Sequence, residues 1–333
     1  MRVWPDLKDN KWSRFWLVGV LVISAAVGVL GGTGALGSGP QTSPGQDSVY
    51  LTRWQPAPDG AIIKLLDPQL GIFQTVVTGL DRPAFILCGP DRHLYVTGPF
   101  LRGTNLPGSI LRFNQDGGGR APIAQQTGLA PTTIAFAPNG DLYFGTIDQG
   151  MWRIPNALKA NKVFNPPQQV LPNSKFRAIT QPYAFITAGP FQGDLLVVDS
   201  PHDAIPGGHV LRAIHPNFTS VKEFIPPHLD SETRAPFVPF SLAINSQGDI
   251  FVTDFENNKI LHYGPDGTFK GVFARVMTPH EITVGSDDLV YVTGWGGRGN
   301  SDNAALFVFD LSGRLLLVAS SPNAIGVTVC APT

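Results

Sequence analysis

Apolar and polar positions alternate in the same order in five segments of this chain. Each segment is a short apolar stretch, a turn rich in Gly, Pro, Asn and Asp, and a second stretch rich in Tyr, Phe and Val. The segments start at Pro83, Pro131, Tyr183, Pro239 and Pro279, so they are 40 to 56 residues apart. Apolar stretches joined by turn formers predict β-hairpins, and this period is typical of a four-stranded propeller blade.

The two halves of a sixth segment lie at opposite ends of the chain. Residues 325–333, IGVTVCAPT, have the pattern of a first strand, after which the chain stops. Residues 48–54, SVYLTRW, have the pattern of a second strand with no first strand before it, and residues 61–66 and 71–77 supply the third and fourth. We therefore predict an all-β fold, a six-bladed β-propeller closed by pairing N- and C-terminal strands in one blade. Such closure removes the unpaired edges of an open stack.

The composition agrees with this fold and excludes one class of partner. The 333 residues include 37 Gly and 30 Pro, and only 15% are charged, which suits short strands joined by turns. The formal net charge is -1, so no general attraction to nucleic acid or to anionic lipid is expected. We expect a monomer with no nucleic-acid partner.

A hydrophobic segment precedes the predicted propeller. Residues 1–14 form a basic flank, and residues 15–36 begin with the uncharged run FWLVGVLVISAAVGVL. The length of this segment fits both a removed signal peptide and a retained transmembrane anchor. With the basic flank held inside, the rest of the chain would be extracytoplasmic, as a secreted, periplasmic or membrane-anchored protein. Residues 37–47 are interpreted as a flexible linker, which leaves residues 48–333 for the propeller.

The most regular repeat carries a resemblance to a known family. Residues 239–260 read PFSLAINSQGDIFVTDFENNKI, which resembles the repeats of NHL-type six-bladed propellers. The resemblance to the regucalcin and gluconolactonase family is looser, and in both cases it extends over residues 48–333. It implies the fold more directly than the function, because propellers perform binding, scaffolding, hydrolysis and lyase chemistry.

Strand direction predicts which face of the ring carries a site. The starts of first strands, the ends of second strands and the loops after them share one face, which we call the loop-rich face. The turns expected at the opposite face, such as PDRH, PNGD and SQGD, are short. The predicted ligand-binding residues on the loop-rich face are Asp81, Arg82, Asp199, Asp254, His280, Glu281, Trp295, Arg298 and Asn323.

Some of these residues have a structural explanation beside the functional one. Asp199 and Asp254 end second strands, where a carboxylate commonly accepts backbone N–H bonds of the following turn. His280 and Glu281 start a first strand, where small or apolar residues are usual, so they are the candidate catalytic residues. Adjacent strand residues point in opposite directions, so at most one of the two faces a given ligand. Trp295 fits either a stacking surface for a ligand or packing over a loop.

The resemblance to gluconolactonases implies a further possibility, a metal ion at the channel mouth. In those propellers acidic and Asn side chains near the first strands hold the ion. The nearest matches in this chain are Asp81, Glu281 and Asn323, with Asp254 close by. Oxygen ligands of this kind would suit Ca²⁺ or Mg²⁺, which would polarise a lactone or ester carbonyl while His280 handles a proton.

Other chemistries lack their sequence signals. The chain has no Walker loop, nucleophile elbow, C-x-x-C or H-E-x-x-H motif. Gly32, Gly34 and Gly37 match G-x-G-x-x-G, but no βαβ context surrounds them, so we interpret them as the small-residue end of the hydrophobic segment. Cys88 and Cys330 occupy the same place in the first strands of two neighbouring blades, the first and the sixth. Matching positions point the same way around the ring, so we expect two buried free thiols without a disulfide.

Two functions from different classes remain open. The first is an extracytoplasmic binding or scaffolding module that presents its loop-rich face to a protein, peptide or glycan. The second is a metal-dependent hydrolase, lactonase-like, or a lyase that acts on a small molecule at the channel mouth.

Overall fold

The computed structural model describes residues 47–67, 70–98, 108–125, 129–147, 149–159, 166–176, 179–200, 208–297 and 300–331. These residues form strands and three short 3-10 helices, at Ala157–Lys159, Asn173–Lys175 and Ser301–Asn303. None of the helices in these ranges is long and apolar enough to cross a membrane. The predicted hydrophobic segment, residues 15–36, and most of the linker lie outside the described residues.

The strands follow one another in groups of four. Three strands precede the first complete group: β1 (Ser48–Arg53), β2 (Gly60–Asp67) and β3 (Ile72–Leu80). The first group of four is β4 (Ile86–Cys88), β5 (Leu94–Gly98), β6 (Ser109–Phe113) and β7 (Ala121–Gln125). The second is β8 (Pro131–Phe136), β9 (Leu142–Thr146), β10 (Met151–Ile154) and β11 (Gln168–Leu171). The third group is β12 (Ile179–Phe185), β13 (Leu195–Ser200), β14 (Val210–Ile214) and β15 (Val221–Ile225), and the fourth is β16 (Pro239–Ile244), β17 (Ile250–Asp254), β18 (Lys259–Tyr263) and β19 (Phe269–Arg275). The chain ends with β20 (Pro279–Val284), β21 (Val290–Gly294), β22 (Ala305–Phe309), β23 (Leu315–Ser320) and β24 (Ala324–Cys330).

Six antiparallel four-stranded sheets form the blades of a propeller. Blades 1 to 5 start with β4, β8, β12, β16 and β20, and each uses four consecutive strands. Blade 6 has the order β24-β1-β2-β3, so the last strand of the chain is its innermost strand. Ser48 pairs with Cys330 and Leu51 with Val327 in this closure. The prediction of a six-bladed ring closed by both ends of the chain is confirmed.

Threonine side chains join neighbouring blades near the axis. The Thr293 hydroxyl at the end of blade 5 donates to the Ile325 carbonyl of blade 6 over 2.5 Å. The Thr52 hydroxyl of blade 6 in turn donates to the Ala84 carbonyl at the start of blade 1, over 2.6 Å. Both threonines are fully buried, so these bonds form in a dry environment between apolar interblade layers. Thr293 thus joins blade 5 to blade 6, and Thr52 joins blade 6 to blade 1.

The two faces of the ring follow from strand alternation. First and third strands leave the loop-rich face, and second and fourth strands return to it. The opposite face, which we call the turn face, holds the first-to-second and third-to-fourth connections of each blade. Most of these are tight turns, but the connection between β10 and β11 in blade 2 is longer and includes a 3-10 helix at Ala157–Lys159.

The expectation of free thiols is wrong, because Cys88 and Cys330 form a disulfide with 5.5 Å between their Cα atoms. The error lies in the register of β24. Cys88 pairs with Leu94, and the residue of blade 6 in the equivalent pairing position is Val329, opposite Val49. Cys330 is therefore one residue beyond the equivalent site, and a shift of one residue reverses the direction of a strand side chain. The two thiols consequently face each other across the junction of blades 6 and 1.

Candidate functional site

Aromatic side chains fill the axis of the ring at the loop-rich face. The rings of Phe85 in blade 1 and Phe240 in blade 4 have centroids 6.1 Å apart, although these blades are opposite each other in the ring. The Tyr183 ring of blade 3 meets Phe85 edge-on at 6.3 Å, and its hydroxyl donates to the Phe240 carbonyl. A contact between opposite blades must cross the axis. These three residues, here called the aromatic plug, therefore close the channel mouth.

His280 lies inside an extension of this plug. Its ring centroid is 4.2 Å from Trp295, 4.9 Å from Phe240 and 5.1 Å from Phe255. Its Nδ1–H donates to the Thr278 carbonyl over 2.9 Å, and burial lowers the pKa of the imidazole to about 3. His280 is therefore neutral near neutral pH, and it is surrounded by protein.

Glu281 points the other way, into the buried space between blades 4 and 5. The Ser241 hydroxyl donates to Glu281 Oε1 over 2.7 Å, while Oε2 is buried without a hydrogen-bond partner among the described residues. Burial raises the pKa of this carboxyl to about 8. The pKa of the nearby Tyr183 hydroxyl is also raised well above its usual value, first by burial and then by the Glu281 charge. The Glu281 side chain is thus mainly a neutral carboxylic acid at neutral pH.

Asp199 and Asp254 bind partners within their own blades. The Arg212 Nε donates to Asp199 over 2.5 Å in a buried ion pair. Asp254 accepts from the Val238 backbone N–H over 3.1 Å and from Asn257 Nδ2 over 2.9 Å, and burial raises its pKa. Asp254 therefore has the structural role of holding a turn and the chain that enters blade 4.

The remaining predicted residues of this face lie around the plug. The Asp81 carboxylate contacts the Arg82 guanidinium at 3.2 Å, between blades 6 and 1. Asn323 adopts a left-handed backbone with φ 63° and accepts from the Ser301 hydroxyl over 2.6 Å. Trp295 is buried and donates from Nε1 to the Ala324 carbonyl over 2.9 Å, so it packs over the strand end. Arg298 lies outside the described residues.

The residues proposed to hold a metal ion do not form a cluster. Asp81, Asp254, Glu281 and Asn323 each bind a different partner, as described above. Within the described ranges, no group of three or more His, Cys, Asp or Glu side chains is arranged to hold a metal ion. The described His, Cys, Asp and Glu side chains therefore do not converge into a donor set for a metal ion.

Sequence reasoning missed an ionic network that shapes the loop-rich face at blade 4. Lys259 is buried, and its Nζ donates to Asp230 over 2.7 Å and contacts Glu232 at 3.1 Å. Burial alone would raise the pKa of Asp230, but the hydrogen bond from Lys259 and those from Thr233 lower it to about 2. Arg275 completes the network by a contact of 2.7 Å with Glu232. These pairs fix residues 226–238, which cross the loop-rich face from blade 3 to blade 4.

A signal for this network is present in the sequence. Lys259 begins a strand at a position where the alternation predicts burial, and a buried lysine requires an anionic partner. The sequence pattern could not identify the partner, because Asp230 and Glu232 lie in an irregular connection more than twenty residues before Lys259.

Comparison with known proteins supports the fold. No family model and no curated protein matches the sequence. Among solved structures, a chain of a nidogen–laminin complex matches with a TM-score of 0.63 and 14% identity, over 85% of this chain and 97% of that chain. TolB from Acinetobacter baumannii matches with a TM-score of 0.59 and 13% identity, over 85% of this chain and 66% of its own.

The families named from the sequence are also among these structural neighbours. A gluconolactonase from Xanthomonas campestris matches with a TM-score of 0.52 and 15% identity, over 86% of this chain and 91% of that chain. A calcium-binding regucalcin from Agrobacterium tumefaciens matches with a TM-score of 0.53 and 10% identity, over 74% of this chain and 77% of that chain. At these identities the similarity establishes the six-bladed propeller fold.

Proposed function

We propose that this protein is an extracytoplasmic binding module that presents its loop-rich face to a protein, peptide or glycan. The observation that carries this proposal is the aromatic plug. It closes the axis where a channel-mouth enzyme would admit its substrate. The candidate catalytic residues, His280 and Glu281, are buried, and His280 Nδ1 and Glu281 Oε1 are hydrogen-bonded to Thr278 and Ser241 of the protein itself.

The ionic network at blade 4 supports binding through the outer part of the face. It holds residues 226–238 in one conformation, and a preformed surface loses less conformational entropy when a ligand binds. Leu229 and Met277 are exposed in this region and offer apolar contacts beside the charged pairs. The disulfide supports an extracytoplasmic location, because such bonds persist mainly in oxidising compartments.

The test uses two basic residues of the same strand. Arg275 ends β19 at the loop-rich face, and Lys270 lies near the turn-face end of the strand, where it pairs with Asp249 at 2.5 Å. The full-length protein is screened on peptide and glycan arrays, and Arg275→Ala and Lys270→Ala are compared on each ligand found. We expect Arg275→Ala to weaken binding and Lys270→Ala to leave it unchanged. Equal loss in both variants would contradict the proposed face.

The alternative is a metal-dependent lactonase-like hydrolase, which the gluconolactonase and regucalcin neighbours favour. Its test is a titration of the full-length protein with Ca²⁺ and Mg²⁺, followed by melting temperature and by lactone hydrolysis. The binding proposal expects no shift in melting temperature and no hydrolysis. A metal-dependent shift that Glu281→Gln abolishes, together with metal-dependent hydrolysis, would replace the binding proposal with the alternative.

A further inference from the structure

The outer strands differ between the two halves of the ring. In β23 of blade 5, Leu315, Leu316 and Val318 are between 46% and 51% exposed. The outer strands of blades 1, 2 and 3, which are β7, β11 and β15, carry no exposed large hydrophobic side chain in their described residues. Exposed apolar side chains that cluster on one side of a protein mark an interaction surface.

The exposed apolar side chains of β23 continue onto both neighbouring blades. A Cβ built on Gly71 would lie 3.1 Å from the Cβ of Ala319, so the start of β3 lies against β23. A Cβ on Gly313 would lie 2.3 Å from the Phe273 carbonyl oxygen, so the turn before β23 lies against β19. Together with those of β23, the exposed side chains of these neighbours form the apolar rim: Leu70, Ile72, Phe269 and Val272.

The apolar rim lies toward the turn face of the ring. Leu315 and Phe269 are the first residues of their strands, and Ile72 is the first residue of β3. These fourth strands start at the turn face and run back to the loop-rich face. Val272 and Val318 are the fourth residues of their strands, so the rim extends from the turn-face edge to the middle of the outer strands.

The N-terminal part of the chain joins the propeller at the same edge. Ser48 pairs with Cys330 at the turn-face end of blade 6. The Asp47 carboxylate accepts from the Ser286 backbone N–H and hydroxyl, each over 2.6 Å, in a turn of blade 5. Residues 37–46, which connect this point to the hydrophobic segment, are rich in Gly, Ser and Pro. Their composition predicts a linker, and ten residues of such composition have an average reach of roughly 17 Å.

We propose that the apolar rim rests against a lipid bilayer in which residues 15–36 are embedded. The bilayer would bury exposed apolar side chains on the side of the ring where residues 37–46 join the propeller. The basic side chains Lys270 and Arg314 beside the rim are paired with Asp249 and Asp310, and the carboxylates of Asp67 and Asp266 lie next to Leu70 and Phe269, so the surface suits zwitterionic rather than anionic lipids. The inference goes beyond the proposed function, since it concerns the opposite edge of the molecule and leaves the loop-rich face directed away from the membrane.

The experiment places an environment-sensitive fluorophore on the rim of the full-length protein. Leu316→Cys is labelled with a nitrobenzoxadiazole maleimide, because the two native cysteines form a disulfide and do not react. The protein is reconstituted into phosphatidylcholine vesicles with and without spin-labelled lipid. The matched control is Lys222→Cys, the second residue of the outer strand of blade 3, as Leu316 is the second residue of the outer strand of blade 5.

We expect spin-labelled lipid to quench the label at position 316 several-fold more than the label at position 222. The additional substitutions Leu315→Asp and Val318→Asp should reduce the quenching at 316 to the control level without changing the melting temperature. Equal quenching at both positions would overturn the proposal. Protein that does not float with the vesicles would also overturn it. The proposal would also be overturned if the fluorescence of the label at position 316 changed with the protein-to-lipid ratio but was not quenched by spin-labelled lipid. That result would assign the rim to contact with a second copy of the chain.

Discussion

At the scale of single residues, the most informative group is the buried carboxyl of Glu281. Its pKa of about 8 in the folded protein is far above the value of 4.5 for a solvated glutamate. Between these two values the folded chain holds a proton that the unfolded chain releases. The free energy of unfolding therefore falls as pH rises through this window, with a limiting slope of about 1.4 kcal/mol per pH unit.

The substitution Glu281→Gln tests this assignment. The amide oxygen can still accept the hydrogen bond from Ser241, and the side chain no longer ionises. We expect the variant to lose less stability than the wild type between about pH 5 and about pH 8, measured by urea unfolding at a series of pH values. Parallel curves for the two proteins would show that Glu281 does not titrate in this range.

His280 shows where residue-level prediction from sequence stops. The sequence marks it as unusual, because small or apolar residues are usual at the start of an innermost strand. The surroundings that make it neutral were not predictable, since Phe240 comes from the neighbouring blade 4 and Trp295 follows the second strand of blade 5, so both approach His280 only once the strands are paired and the blades are packed. A local pattern identifies the position of a side chain, whereas its contacts depend on strands distant in sequence.

At the scale of elements, strands and turns were predictable because each depends on a few neighbouring residues. The repeated hairpins, the supply of blade 6 from both ends and most turn-face connections follow the hydrophobic pattern. The register of β24 could not be predicted from that pattern, because it is set by pairing with β1, at the other end of the sequence. In that pairing Cys330 lies one residue beyond the position equivalent to Cys88. The disulfide expectation failed for that reason.

The connection of residues 226–238 provides a prediction about one element. Replacing Lys259 by Met keeps much of the side-chain volume but leaves Asp230 without its buried cation. We expect a loss of about 3 kcal/mol in unfolding free energy, and faster hydrogen exchange in residues 226–238. Lys270→Met is the control, because its pair with Asp249 is more exposed and should contribute less than about 1 kcal/mol. Equal losses in both variants would contradict a special role for the buried pair.

At the scale of the whole molecule, closure of the ring is the central feature. Deleting residues 324–333 removes the innermost strand of blade 6 and exposes the edge of β1. We expect insoluble or unfolded protein from this deletion, whereas deletion of residues 1–46 should leave the melting curve of the propeller unchanged. Thermal unfolding of the two purified products measures this. A soluble, cooperatively melting product of the first deletion would contradict the closure.

The disulfide makes a second, separable contribution to closure. It joins residues 242 positions apart, and the chain-entropy model assigns a loop of that length about 5 kcal/mol. We expect the double variant Cys88→Ala, Cys330→Ala to remain folded, because the strand pairs and the Thr52 bond persist, but to unfold at lower urea concentration. The wild type under reducing conditions should behave like this variant. A reductant that leaves the wild-type midpoint unchanged would contradict the expected contribution.

The arrangement of blade 6 also determines when this protein can fold during its biosynthesis. Strand β1 is made early and pairs with β24, which ends at residue 330. Until β24 has been synthesised, the first hairpin therefore has an open edge. A chain interrupted before β24 would be exposed to proteases and chaperones as an incomplete ring, so stable folding requires synthesis through β24.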